Sequence, residues 1–345
     1  MKVLYFGSVE APYQHSFWNE CSKLTDVRCV YLFSQQIGHS WASYGSSHTT
    51  YLDYDKKKFV AIKKLLKLIH QFKPKYIIIG GYKMPMSLYL IILSRFIGSE
   101  VFLWMERPKP SNFYLSFIKS IHLKFVSLFV HRVLAIGSDA VNAYRNLNLP
   151  IYNFPYSIDT SIFQIKEKNF FNELRFVYLG QFIHRKGVLE AIKGFQLCKS
   201  SRIKLTLVGG GIQENEIKNL AQSDSRITIL PYANYEDIPA ILNQHDVLIF
   251  PSRHDGYALT LVESMRAGLF IMGTSFTSSF NDYIVEKENG IRILVDANDI
   301  KSNINWCLEN IDLIKSNGPK NQSIIQNSVS NSRNSAQFLL KILKS

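Results

Sequence analysis

Residues 250–263 read Phe250-Pro251-Ser252-Arg253-His254-Asp255-Gly256-Tyr257-Ala258-Leu259-Thr260-Leu261-Val262-Glu263. The apolar run 247–250 predicts a buried strand, and the spacing of apolar residues over 259–267 predicts a helix. A loop containing Gly256 separates them. Strand, loop and helix in that order form half of a parallel α/β unit. The order brings free backbone N–H groups and the positive end of a helix dipole to one point suited to a phosphate. Two carboxylates bracket that point, Asp255 before the helix and Glu263 a turn or so inside it. Facing a phosphate they would repel it. They are better suited to accept hydrogen bonds from hydroxyls on either side, a sugar on one and a ribose on the other. The purely structural alternative is an Asp-Gly turn followed by an exposed helix glutamate.

Outward from this segment the same alternation continues. A strand over 175–179 runs into Gly180-Gln181-Phe182-Ile183-His184-Arg185-Lys186-Gly187, a glycine loop followed by cations. Lys186 and Arg185 at such a loop can neutralise a diphosphate whose charge grows as it leaves, and the alternative is a solvated basic turn. Helices are expected at 189–198 and 212–221, and strands at 203–208, 227–230 and 270–273, with Gly209-Gly210-Gly211 as a turn. In the front half, strands are expected at 3–6, 27–33, 76–79, 100–105 and 132–136, and helices at 17–24, 59–72 and 113–130. This is α/β architecture. The alternation lapses from 150 to about 170, which places a domain junction there. The expected domains are 1–155 and 156–330, with a short amphipathic helix at about 335–345 that can pack back on the first. Residues 316–335, rich in Ser and Asn, read as irregular.

The chain has 345 residues, 46% hydrophobic and 19% charged, enough for two cores and unlike a disordered or disulfide-stapled protein. Cys21, Cys29, Cys198 and Cys307 are too scattered for a zinc site or redox pair, and Glu10 interrupts the apolar start, so a cytoplasmic chain with reduced thiols is expected. The stretch 76–98 is broken by Gly80, Gly81, Lys83, Pro85 and Arg95, which excludes a lone membrane span. Residues 1–150 hold 19 Lys and Arg against 8 Asp and Glu, whereas 151–345 hold 21 against 19. A basic front half implies an anionic partner. Lys56-Lys57-Lys58, Lys63-Lys64 and Lys67 surround one apolar helix face, and Lys119 and Lys124 flank 113–130, a pattern that fits peripheral contact with an anionic membrane as well as ordinary core helices with solvated lysines.

The segment from Asp255 to Ser275 resembles the E-x7-E signature of retaining glycosyltransferases of family 4. That resemblance implies the GT-B fold, two Rossmann-like domains with parallel sheets facing across a cleft. It assigns Asp255 to the first glutamate, which contacts the transferred sugar, and Glu263 to the second, which holds the nucleotide ribose. Aspartate is a departure, one methylene shorter. Gly180, Gln181, Arg185 and Lys186 are similar to the family's diphosphate loop; Gln181 stands where an arginine is usual, and Arg185 is the nearby replacement. Gly256, Tyr257, Ala258 and Leu259 fall on the donor side of the signature, and Tyr232 falls where the family contacts the base. Residues 153–163 and 207–211 resemble the family's interdomain linker and donor-domain glycine turn. In the front half the resemblance is in outline only. Gly7 to His15 replaces a glycine-rich acceptor loop, which makes Glu10 and His15 acceptor-side candidates. Glu106 stands after a strand where many members carry an active-site histidine, and a carboxylate paired to Arg107 or Lys109 is the alternative.

The expectation is therefore a retaining glycosyltransferase of cell-surface polysaccharide assembly, with a nucleotide-diphosphate-sugar donor and a glycan or lipid-linked acceptor. Catalytic roles fall to Asp255, Lys186 and Glu106. No cofactor, metal or nucleic acid is implied, since cations and a helix end face the diphosphate. The alternatives are a nucleotide-sugar epimerase of the same fold and a degenerate nucleotide-sugar-binding protein.

Overall fold

The computed structural model describes residues 1–34, 45–55, 58–109, 112–163 and 172–345. Lys56 and Lys57 of the basic stretch lie outside the described residues. The chain forms two units, one of Met1–Ser157 with Ser332–Ser345 and one of Ile158–Asn331.

The first unit is built on a seven-stranded sheet in which β1 (Lys2–Gly7), β2 (Asp26–Tyr31), β3 (Thr49–Tyr51), β4 (Tyr76–Ile79), β5 (Glu100–Met105), β6 (Arg132–Ala135) and β7 (Ile151–Asn153) lie in the order β3-β2-β1-β4-β5-β6-β7. Every pair is parallel, with Val3 beside Tyr76 and Phe102 beside Arg132. Strands such as YIII are buried on both faces, and their two sets of side chains serve two layers. Leu4, Phe6, Ile77, Ile79, Val101 and Leu103 share one core with α2 (Lys58–Phe72), α3 (Pro85–Ile97), α4 (Phe113–Ser127) and α5 (Ser138–Tyr144), while α1 (Pro12–Ser22) lies outside that core. On the other face, Tyr5, Trp18 and Trp104 cluster with Phe17 and Phe154 in tilted and edge-to-face contacts, and Phe338 of the C-terminal helix (Ser332–Lys344) stacks on Phe154. Tyr76 Oη donates to Leu343 O at 2.6 Å, tying that helix to the strand it covers. The loops start and stop the helices locally: Pro12 and Pro85 open α1 and α3, Asn112 Oδ1 accepts from Leu115 N at 2.9 Å to cap α4, and Gly98 ends α3 with φ +70°.

The second unit has a six-stranded parallel sheet, order β10-β9-β8-β11-β12-β13, from β8 (Leu174–Leu179), β9 (Ile203–Val208), β10 (Ile227–Leu230), β11 (Val247–Phe250), β12 (Phe270–Gly273) and β13 (Gly290–Arg292). Its helices are α6 (Val188–Leu197), α7 (Glu214–Ala221), α8 (Ile238–Leu242), α9 (Leu259–Arg266), α10 (Ser278–Tyr283), α11 (Ala297–Glu309), α12 (Ile311–Ser316) and α13 (Gly318–Asn327). Both units are Rossmann-like. In each sheet the chain reverses its direction of travel at one place, between β1 and β4 and between β8 and β11. Crevices at such reversals, beyond the carboxyl ends of the strands, are where open α/β sheets bind ligands.

Two expectations need correction. Residues 151–153, read as part of a lapse, form β7 because Ile151 pairs with Val133 at the sheet edge. Residues 316–335 are largely helical: Asn321 of α13 is fully buried, and its amide donates to Leu269 O and Asn289 O at 2.7 and 3.2 Å. A helix whose inward face carries asparagine shows no apolar period. Residues 76–98 are β4 over the strand expected at 76–79, a glycine turn and then α3, a helix not among those expected; no helix of the described residues is long and apolar enough to cross a membrane. The four cysteines are buried and free.

Candidate functional site

In the second unit, the loops after β8 and β11 meet at the reversal point. Arg253 N donates to Arg185 O at 2.8 Å, Arg185 Nη1 to His254 O at 2.5 Å, and Arg253 Nη2 to Glu190 Oε1 at 2.7 Å. Gly187 makes this approach feasible: its φ is +68°, and a Cβ there would lie 2.1 Å from Pro251 O. The seam brings the predicted cations to the predicted carboxylate. Lys186 Nζ donates to Asp255 Oδ2, and Arg185 Nη1 lies 3.8 Å from the same oxygen. Lys186 also sits 5.2 Å over the Phe250 ring, which holds the cation end of the pair.

Gly256 is buried beside this pair, and α9 begins at Leu259 without a side-chain cap from Ala258. Thr277 Oγ1 accepts from Ala258 N at 3.1 Å and fixes the loop's entry into the helix. Glu263 is buried rather than exposed, and burial pushes its carboxyl up to about 7. A carboxylate this desolvated is a strong acceptor for any hydroxyl that reaches it. Tyr257 turns inward, its ring buried and its hydroxyl 2.9 Å from Ser330 Oγ, so only its backbone faces the loop's business end. Gly180 and Gln181 line the turn after β8, where Tyr178 Oη donates to Gln181 O at 2.8 Å. Gly209 abuts Gly180, since a Cβ on Gly209 would lie 1.9 Å from Gly180 O. Tyr232 is more than half exposed, its ring against Gly210 and its hydroxyl donating to Gly210 O at 2.7 Å.

In the first unit a cavity of about 750 Å³ opens beyond the carboxyl ends of β1, β4 and β5. Ser8 and Val9 follow β1, Gly80 and Gly81 follow β4, and Glu106 and Arg107 follow β5. Tyr156 Oη donates to Glu106 Oε1 at 3.0 Å, and the Tyr13 ring packs on Tyr156 with centroids 4.7 Å apart. Burial pushes both phenols upward, with Glu106 adding to it, so they stay protonated. Arg107 pairs with Asp139 at 2.9 Å. The aromatic wall and the Glu106 carboxylate suit a polyol. Sequence reasoning found Glu106 but not Tyr13 or Tyr156, whose only signal is tyrosine beside loop residues already under suspicion.

Glu10 and His15 do not line that cavity. They face one another, with His15 Nδ1 3.0 Å from Glu10 Oε1, Asn19 Nδ2 donating to His15 Nε2 at 2.8 Å, and Tyr51 Oη donating to Glu10. The cluster shapes the loop after β1.

Comparison with known proteins bears on both units. Residues 161–329 match the family model described as glycosyl transferases group 1. The chain is 29% identical over 123 residues to the uncharacterized glycosyltransferase YqgM of Bacillus subtilis (strain 168), 34% of this chain and 34% of that protein. It is 26% identical over 152 residues to the O-antigen biosynthesis glycosyltransferase WclY of Escherichia coli, 41% of this chain and 42% of that one. The chain thus spans about a third to two fifths of the length of these relatives. Among solved structures it is similar to Anabaena Alr3699/HepE in complex with UDP and glucose, with TM-score 0.76, 13% identity, and coverage of 100% of this chain and 99% of that one. That likeness shows the fold, GT-B.

Proposed function

We propose that the chain is a retaining glycosyltransferase of family 4, which moves a sugar from a nucleotide-diphosphate-sugar to a glycan or lipid-linked acceptor in cell-surface polysaccharide assembly. The observation that carries the reading is the cluster of Lys186, Arg185 and Asp255 at the reversal point of the second sheet, ahead of the uncapped start of α9. The match of 161–329 to group 1 glycosyl transferases and the likeness to an O-antigen glycosyltransferase support it, as does a structural neighbour that binds UDP and glucose.

In the proposed reaction the donor's diphosphate lies against Lys186, Arg185 and the amides at the start of α9, and a ribose hydroxyl donates to Glu263. The bond between the sugar's anomeric carbon and the phosphate oxygen breaks, and its electron pair leaves with the diphosphate. Cations already in place stabilise that charge as it develops. The acceptor hydroxyl attacks the same face of the sugar, and its proton passes to the departing phosphate oxygen, so retention needs no protein nucleophile. Asp255 accepts from a sugar hydroxyl and orients Lys186. In the first unit, Glu106 accepts from an acceptor hydroxyl against the Tyr13 and Tyr156 rings. The reading places the protein in the cytoplasm, with peripheral contact to an anionic membrane.

The deciding experiment is thermal stabilisation by UDP, GDP and ADP and their sugar conjugates. A ligand at 100 times its Kd adds about 2.7 kcal/mol to stability. Stabilisation by one nucleotide class, lost in Lys186→Ala, is the expected result; indifference to every nucleotide sugar would remove the donor site from this reading.

A further inference from the structure

Helix α4 is buried along very little of its length. Val126 is its one fully buried residue among those described, whereas Tyr114, Ile118, Ile121, Phe125 and, one residue past its end, Leu128 are exposed. These five recur at spacings of four and three, so they fall in a single stripe on the helix. Phe113 and Phe117 flank the stripe, and Phe113 is 89% exposed. The neighbouring helix of the same layer, α3, presents a second row with Tyr89, Ile92 and Phe96, the last 81% exposed. Scattered apolar residues on a surface are ordinary; two helices of one layer that each carry an exposed apolar row are not.

The opposite side of α4 faces the cavity. At about 100° per residue Leu123 stands across the helix from the stripe, with Lys119 and Ser120 on either side of it; all three line the cavity beside Glu106. The helix is thus a partition between the cavity and an apolar face left exposed among the described residues.

Charge selects the occupant. No Asp or Glu occurs between Glu106 and Asp139, a stretch that carries Arg107, Lys109, Lys119, Lys124 and Arg132, and none occurs in α3, which carries Arg95. A second copy of this chain would present the same positive face and be repelled. A face that combines exposed aromatic and aliphatic rows with cations and no acids matches an anionic bilayer, where the apolar row enters the acyl boundary and lysines meet the headgroups.

We propose that the exposed faces of α3 and α4 dock this protein on an anionic lipid bilayer, with α4 standing between the lipid and the cavity. The inference deepens the reading above and rests on it in one respect: it assigns the acceptor to the lipid-linked class.

The test is co-sedimentation of the full chain with vesicles of phosphatidylcholine alone and of phosphatidylcholine mixed with phosphatidylglycerol. The expected result is binding to the mixed vesicles that weakens with added salt, and little to the neutral ones. Replacing Ile118, Ile121 and Phe125 together by serine should lower binding by about tenfold or more. Lys124→Glu should lower it about fivefold or more, the equivalent of one surface lysine. All four side chains are exposed, and circular dichroism should show both variants folded. Equal retention on both vesicles, no retention on either, or retention unchanged in both variants overturns the proposal. So does a concentration-dependent dimer that the serine variant abolishes without any vesicle binding. Nucleotide stabilisation measured in the same variants separates the two claims, because docking can fail while the donor site binds, and the reverse.

Discussion

Lys186 and Asp255 lie 69 residues apart in the chain and form an ion pair between the loops that follow β8 and β11. Each side chain is less than a fifth exposed. The pair is short of solvent, backed by the Phe250 ring, and set where two parallel strands diverge. Such a pair holds a cation ready for phosphate and a carboxylate ready for a hydroxyl.

The two members should therefore fail differently. Lys186→Ala removes charge that the leaving diphosphate needs, and a loss of about 100-fold or more in kcat is expected, with weakened nucleotide binding by titration calorimetry. Asp255→Ala should reduce turnover by a similar order while leaving nucleotide binding intact, since a carboxylate near the phosphates is removed. Because the proposed site counters the diphosphate with Lys186, Arg185 and the start of α9, EDTA should leave wild-type turnover unchanged.

Glu263 makes stability depend on pH. Its carboxyl titrates near 7 in the folded chain and near 4.5 when exposed, so the folded form holds its proton more tightly. Its contribution is complete below about pH 4.5, declines as pH rises to 7, and stays low above. At about 1.36 kcal/mol per pH unit the decline amounts to about 3 kcal/mol. Glu263→Gln should flatten that part of the urea-unfolding profile and be more stable than the wild type at pH 8. If a ribose hydroxyl donates to this carboxylate, nucleotide affinity in the wild type rises through pH 7, and the glutamine variant loses both the rise and much of the affinity.

Gly187 and Gly209 should tolerate no side chain. At Gly187 a Cβ would meet Pro251 O at 2.1 Å, and at Gly209 it would meet Gly180 O at 1.9 Å. Alanine at either position should cost more than about 2 kcal/mol and disrupt donor binding. Gly98 is the control: its φ is +70° but nothing lies within 4 Å of a Cβ, so alanine there should cost only about 1 kcal/mol.

Glu106 should act on the acceptor alone. Glu106→Gln and Tyr156→Phe are expected to raise acceptor KM or lower transfer while leaving nucleotide stabilisation unchanged, because their side chains belong to the first unit. Transfer assays and the thermal shift, run on the same preparations, check the split.

The arrangement of strands and helices was largely readable along the chain. Residues 76–79, 203–208, 227–230, 247–250 and 270–273 are strands over the spans expected: 76–79, 247–250 and 270–273 are buried on both faces and so continuously apolar, while 203–208 and 227–230 place polar residues such as Lys204 and Thr228 on their more exposed face. The loop chemistry of 180–187 and 250–263 was equally local, since glycine, cation and carboxylate stand there side by side in the sequence. Tertiary structure alone decided what long-range contact decides. It paired Lys186 with Asp255, closed Glu10 on His15, buried Glu263 and Tyr257, and set Tyr13 and Tyr156 beside Glu106. It also made a helix of residues 318–327, whose buried face joins Ile325 to Asn321 and satisfies that amide on carbonyls distant in the chain, and carried Phe338 back to Phe154. Local composition sets which backbone conformations a segment prefers; which side chain ends beside which depends on loop closure over tens of residues, and no spacing within a segment encodes that.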